Sequence, residues 1–231
     1  MTNTNPTKWS LKELTASVER LHGRDQSLKT GTCAQSVLKR QDFMKYHYRE
    51  VKRLVGADLE NADSNDVLLN YILDSDTPEY HEFHHRRTEA EANLVAFLQC
   101  VHATEDTLGH VIYFAMNFDQ LEPRKVSIHA VQKLLPSGPL KAEVQAMFDN
   151  ADLKYVAALV NHSKHRSVVG APISVSFIED DQPHGLKFEG FMYGETWQPQ
   201  RWAIPFLKTS FDAIQGHMLR IGNALNRQLA A

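Results

Sequence analysis

Apolar positions along most of this chain recur at steps of three and four residues, the spacing of one helix face. Ser10-Leu11-Lys12-Glu13 is a capping-box signature, and Leu11, Leu14, Val18 and Leu21 follow at helical spacing until Gly23. A short polar loop is expected next, with Gly31 near its end. The pattern then predicts a helix over 32–55, with Val37, Tyr48, Val51 and Val55 inward, ended by Gly56, and a short helix over 65–74. Pro78 opens the longest segment, 78–118, where Leu94, Phe97, Leu98, Val101, Leu108, Val111, Ile112 and Ala115 make one broad apolar face. Gly109 inside it costs about 1 kcal/mol against Ala, which points to a close helix–helix approach. After a break at Leu121-Glu122-Pro123, helices are expected over 126–135 and 140–166.

The period then changes from helical to alternating. Ile173, Val175 and Phe177 alternate with smaller or polar neighbours, Asp180-Asp181-Gln182-Pro183 reads as a turn, and Leu186, Phe188 and Phe191 suggest a partner strand. A third strand near 196–203 suits Trp197 and Trp202, which read as sheet packing, with a binding platform as the other reading. Pro205 opens a last helix to about 229. The expected fold class is mainly α. A helical bundle carries a β-hairpin or small three-stranded sheet, inserted over 171–203 before the last helix. With no internal repeat or low-complexity linker, the chain reads as a single domain, 1–231, with residues 1–7 a disordered tail.

Composition narrows the class. The chain has 231 residues, 42% hydrophobic and 23% charged, enough apolar material for a real core. A formal net charge of −3 gives no global positive field, so any nucleic-acid contact must come from a local patch. The two cysteines, Cys33 and Cys100, read as free thiols of a reducing compartment, Cys100 on a buried helix face. A polar start without an apolar core, and no run as long as a membrane span, make a cytoplasmic, non-membrane protein the default.

Histidine is abundant, with 12 residues, and several cluster. Val160-Asn161-His162-Ser163-Lys164-His165-Arg166 gathers two imidazoles, an amide and two fixed cations at a helix C-terminus. The macrodipole favours cations there, so a capped helix end packed on the hairpin is one reading. Cations flanking an imidazole also bind phosphate and set a general base beside it, which makes RNA or a phosphate-bearing ligand the second. Metal binding is the third. Tyr80-His81-Glu82-Phe83-His84-His85-Arg86-Arg87 is polar all round and reads first as a solvated helix start; His81 and His85, four apart, form a candidate metal pair. Asp106, four residues after His102, can orient that imidazole, and in an antiparallel packing the pair would face the 162–165 turn. No phosphate-binding Gly-rich loop, nucleophile elbow, HExxH or CxxC is present, and no cofactor is implied.

The stretch Leu159-Val160-Asn161-His162-Ser163-Lys164-His165-Arg166-Ser167 with Ile173-Ser174-Val175-Ser176-Phe177, and His102-Ala103-Thr104-Glu105-Asp106-Thr107-Leu108 before it, resembles uncharacterised bacterial proteins of the HEPN-like helical superfamily. The likeness covers about 78–178. Many HEPN proteins are metal-independent RNases that act as homodimers. Their motif is Arg, four to six residues, then His, often with Asn directly after the Arg. Asn161 and His165 match the Asn and His, but the Arg position holds Val160; Arg166 or Lys164 is the candidate replacement. The resemblance thus implies a HEPN-like fold and a dimer. For function it implies a non-catalytic binding or regulatory protein. The alternatives are an RNase or other phosphodiester-acting enzyme using His165, and a helical metal-dependent hydrolase using His81 and His85.

Overall fold

The structure is a computed structural model that describes residues 8–59, 78–175 and 184–230. The expected tail, the 65–74 helix, residues 176–178 and the 180–183 turn lie outside the described residues. Seven α-helices are described: α1 Leu11–His22, α2 Arg24–Leu59, α3 Pro78–Ala115, α4 Ile128–Leu134, α5 Pro139–Asp149, α6 Ala151–His165 and α7 Ala203–Ala230. Five short strands precede α7: β1 Ile173–Val175, β2 His184–Phe188, β3 Phe191–Tyr193, β4 Thr196–Gln198 and β5 Arg201–Trp202. The fold is therefore mainly helical with a small sheet before the last helix. Among the described residues no helix is long and apolar enough to cross a membrane.

The chain divides into two compact units. One draws on Met1–Asp42, Cys100–Lys154 and Ser210–Ala231, the other on Phe43–Gln99 and Tyr155–Thr209.

In the first unit Ser10 Oγ accepts from the Glu13 N–H (3.3 Å), and Gly23, at φ 85°, ends α1. The expected polar loop does not follow, because α2 begins at once at Arg24. Its first turns have few apolar residues, yet Ser27 and Thr30 are buried. The Ser27 hydroxyl donates to Thr15 O (2.9 Å) and the Thr30 hydroxyl to Gln26 O (2.9 Å). Hydroxyls satisfied in this way pack as an apolar face would. The segment 140–166 also departs from expectation, splitting at Asn150. Its Oδ1 accepts from the N–H groups of Asp152 (3.0 Å) and Leu153 (3.1 Å), which caps α6 as a new helix.

Gly109 marks a close approach, as its place inside α3 suggested. A Cβ there would lie 2.7 Å from Ile128 N and 2.8 Å from Ile128 Cα. One turn earlier on the same face, Asp106 Oδ1 accepts from Ile128 N (3.2 Å). Ser127 caps the same helix start by accepting from Ala130 N (3.2 Å). The apolar face of α3 buries Val101, Leu108, Val111 and Ile112 in this unit, each burial contributing roughly 1.5–3 kcal/mol.

In the second unit β1, β2 and β5 form an antiparallel sheet in that order, with Ile173 opposite Leu186 and Lys187 opposite Trp202. The hairpin expected between the strands at 173 and 186 is thus present as β1–β2. The expected third strand is two, parted at Pro199-Gln200: β5 joins the sheet, while β4 pairs with β3 in a separate two-stranded hairpin. Tyr155 on α6 anchors this region. Its ring meets Phe191 and Phe206 edge-on, its hydroxyl donates to Pro199 O (2.9 Å), and the Arg201 guanidinium lies 4.4 Å from its centroid. Burial pushes the Tyr155 phenol up to about 12, with Arg201 opposing.

Candidate ligand-binding surface

The basic cluster lies in the last turn of α6 and just past it, where the apolar pattern of the helix stops. Val160, at the position of the missing Arg, is 3% exposed and belongs to the core. Asn161 and His162 are half-buried; Lys164, His165 and Arg166 are exposed. The two histidines therefore differ in kind. His162 is fixed on two sides: its Nδ1 lies 3.1 Å from Met192 O, its Nε2 lies 3.3 Å from Ser167 Oγ, and its ring packs on Phe191 at 5.1 Å. It ties α6 to the β3–β4 hairpin. His165 is displayed to solvent between two fixed cations.

Beside this helix end stands the β3–β4 hairpin, whose Trp197 reads from the sequence mainly as sheet packing. A two-residue turn, Gly194-Glu195, closes it, with Gly194 at φ 61°, a conformation Gly adopts without strain. Phe191 is buried, while Met192 and Trp197, directly opposite each other, are 44% and 59% exposed. A two-stranded ribbon covers one face only. The sequence signal was present as apolar residues on both alternating faces, Phe191 and Tyr193 on one, Met192 and Trp197 on the other.

The remaining candidates fall elsewhere. In the second unit the start of α3 carries a ladder of pairs four residues apart. Arg86 donates to Glu82, His85 Nε2 lies 3.3 Å from Glu89, and Arg87 lies 3.5 Å from Glu91. His81 is exposed, and the His84 ring lies tilted against Tyr80 at 4.0 Å between centroids. Burial, and then the nearby Arg87 and His81, push the His84 imidazole down. Among the described residues no group of three or more His, Cys, Asp or Glu is placed to hold a metal ion.

His102 and Asp106 belong to the first unit. Asp106 serves α4 through Ile128, and its backbone carbonyl lies 2.9 Å from His110 Nδ1. Beside it, Glu105 is pushed up to about 8, first by burial and then by the Asp106 carboxylate. Cys33 and Cys100 are free and half-buried, and burial raises both thiols, the opposite of an activated nucleophile. His217, buried in α7, accepts at Nδ1 from Arg220 Nη2 (2.9 Å), whose Nε reaches Glu143 (3.2 Å). No protein-family model, curated protein or solved structure matches the chain.

Proposed function

We propose that this chain is a non-catalytic, HEPN-like binding module whose ligand is RNA, held through its phosphates by the end of α6. One observation carries the reading: Lys164, His165 and Arg166 are displayed in succession, while the position that would supply the catalytic Arg is a core valine. Fixed cations at a surface bind phosphate without chemistry. Cleavage needs, in addition, a group that stabilises charge developing on the phosphate, and Val160 supplies none. The macrodipole at a helix C-terminus opposes an anion, so the cations have to carry the contact. The HEPN-like resemblance implies a homodimer, which would present two such ends.

The test is binding of a labelled single-stranded oligonucleotide by fluorescence anisotropy across a salt series. A double Lys164→Ala, Arg166→Ala variant should bind more weakly. It should also flatten the plot of log affinity against log salt by about 0.7 per lost phosphate contact. Absence of binding by the wild-type chain at low salt would sink the reading. The same RNA should stay intact on incubation. Cleavage by the wild type that disappears in His165→Ala would instead establish the RNase alternative, which the exposed His165 and Arg166 favour. Sedimentation velocity tests the dimer.

A further inference from the structure

The β3–β4 hairpin carries a tryptophan that the core does not bury. The Trp197 ring lies directly over Gly190: a Cβ on Gly190 would fall 2.3 Å from Trp197 Cζ2 and 2.9 Å from Cη2. Gly190, Met192 and Trp197 share one face of the ribbon, since side chains alternate along a strand and Met192 stands opposite Trp197. The glycine thus makes room for the Cζ2 edge of the indole against the backbone, an aromatic covering a bare glycine. A core tryptophan buries both faces. This one is held against Gly190 on one side and is 59% exposed.

The hairpin that carries Trp197 is tied to the basic end of α6. The strand partner of Trp197 is Met192, whose carbonyl lies 3.1 Å from His162 Nδ1, and Arg166 N donates to His162 O (2.9 Å). One helical turn therefore separates the hairpin anchor from the displayed cations. Aromatic planes beside a cationic track are what unpaired nucleic acid requires, because bases stack on the ring while the phosphates follow the charge. Paired bases are already stacked and cannot use such a surface. Glu195 at the hairpin turn is exposed and repels phosphate. A bound strand would therefore have to leave Trp197 on the side away from Glu195.

We infer that Trp197, seated on Gly190, is a stacking platform for an unpaired base of single-stranded RNA, whose phosphates run onto Lys164 and Arg166. This inference rests on the RNA-binding reading above and adds the state of the RNA and the residue that senses it.

The experiment compares an oligouridine strand, an abasic strand of the same length and a duplex, each bound to wild type, Trp197→Ala and Gly190→Ala. Trp197→Ala should weaken the oligouridine complex by roughly 5- to 100-fold, the effect of one lost stacked base. It should leave abasic binding unchanged, and the wild type should prefer oligouridine to duplex. Gly190→Ala keeps the indole but displaces it, and should weaken oligouridine in the same selective way. Trp197 is exposed, so its removal should hardly change the unfolding midpoint. Unchanged oligouridine affinity in Trp197→Ala, with the Lys164→Ala, Arg166→Ala variant still impaired, overturns the platform and leaves the RNA reading standing. Equal loss for oligouridine and abasic strands also overturns it. So does conversion of a wild-type dimer to monomer by Trp197→Ala, which would make the surface a contact between copies. Failure of the wild type to bind any strand removes the underlying reading instead.

Discussion

Gly109→Ala separates two forces that act in opposite directions. Judged by helix propensity alone, replacing a mid-helix glycine with alanine stabilises α3 by about 1 kcal/mol. Packing says the reverse. The new methyl carbon would sit 2.7 Å from Ile128 N, 2.8 Å from Ile128 Cα and 3.0 Å from Ser127 C. These are backbone atoms, so no rotamer change relieves the contact. Forcing a methyl group into a filled space costs about 1–3 kcal/mol. The available relief is to push the start of α4 outward, which lengthens the bond from Ile128 N to Asp106 Oδ1, now 3.2 Å. A hydrogen bond to a charged acceptor contributes about 1.5–3 kcal/mol. Set against the propensity gain, the net loss is about 1.5–5 kcal/mol. Urea unfolding followed by far-UV circular dichroism would show this as a midpoint about 1–2 M lower. Asp106→Asn, which keeps an acceptor, should lose less than Asp106→Ala. A Gly109→Ala protein as stable as wild type, or more so, would refute the close approach and the account of α4 built on it.

Buried His217 and half-buried Glu105 should give stability opposite pH slopes. His217 is pushed down to about 4, first by burial and then by Arg220, whereas an unfolded histidine titrates near 6.5. Its contribution is therefore full above about pH 6.5 and is lost as pH falls toward 4. His217→Gln, which keeps an acceptor for Arg220, should flatten that loss in urea titrations. Glu105, pushed up to about 8, stays protonated in the fold at neutral pH. Its contribution is full below about pH 4.5 and is lost as pH rises toward 8. Glu105→Gln should therefore gain roughly 1–3 kcal/mol on wild type at pH 8 and nothing at pH 4; equal stabilities at pH 8 would place that carboxyl in water. Val160→Arg, which restores the residue of the RNase pattern, should unfold the protein or cost several kcal/mol by burying an unpaired charge. A variant that folds with wild-type stability would contradict the buried placement of Val160.

Much of the fold was legible because its elements follow single-period patterns. The apolar face of α3 could be read residue by residue, and Ser10 announced the start of α1. What the pattern missed are places where polar atoms do structural work. The start of α2 looks like a loop because Ser27 and Thr30 are polar, yet their hydroxyls bond to carbonyls and are buried. The break at Asn150 was hidden for a related reason. Apolar spacing continues across it, and only the side-chain acceptor decides that a new helix begins. Short strands suffered most, since two or three residues hold too little period to distinguish β5, which joins the sheet, from β4, which does not.

At the candidate site the sequence picked out the basic run but could not divide it. His162 and His165 lie three residues apart in one basic run, and composition treats them alike. Their difference is set by a strand far along the chain, because Met192 O and Phe191 claim the His162 ring and leave His165 in solvent. The same kind of pairing explains why the two tryptophans could not be told apart. Trp197 and Trp202 share a short segment, but Trp202 stands in the three-stranded sheet beneath Lys187, while Trp197 lies on Gly190 in a ribbon with one open face. Both distinctions come from pairing between distant segments, which no local spacing encodes. The arrangement where this helix end meets the ribbon becomes visible only once the partner of each residue is known.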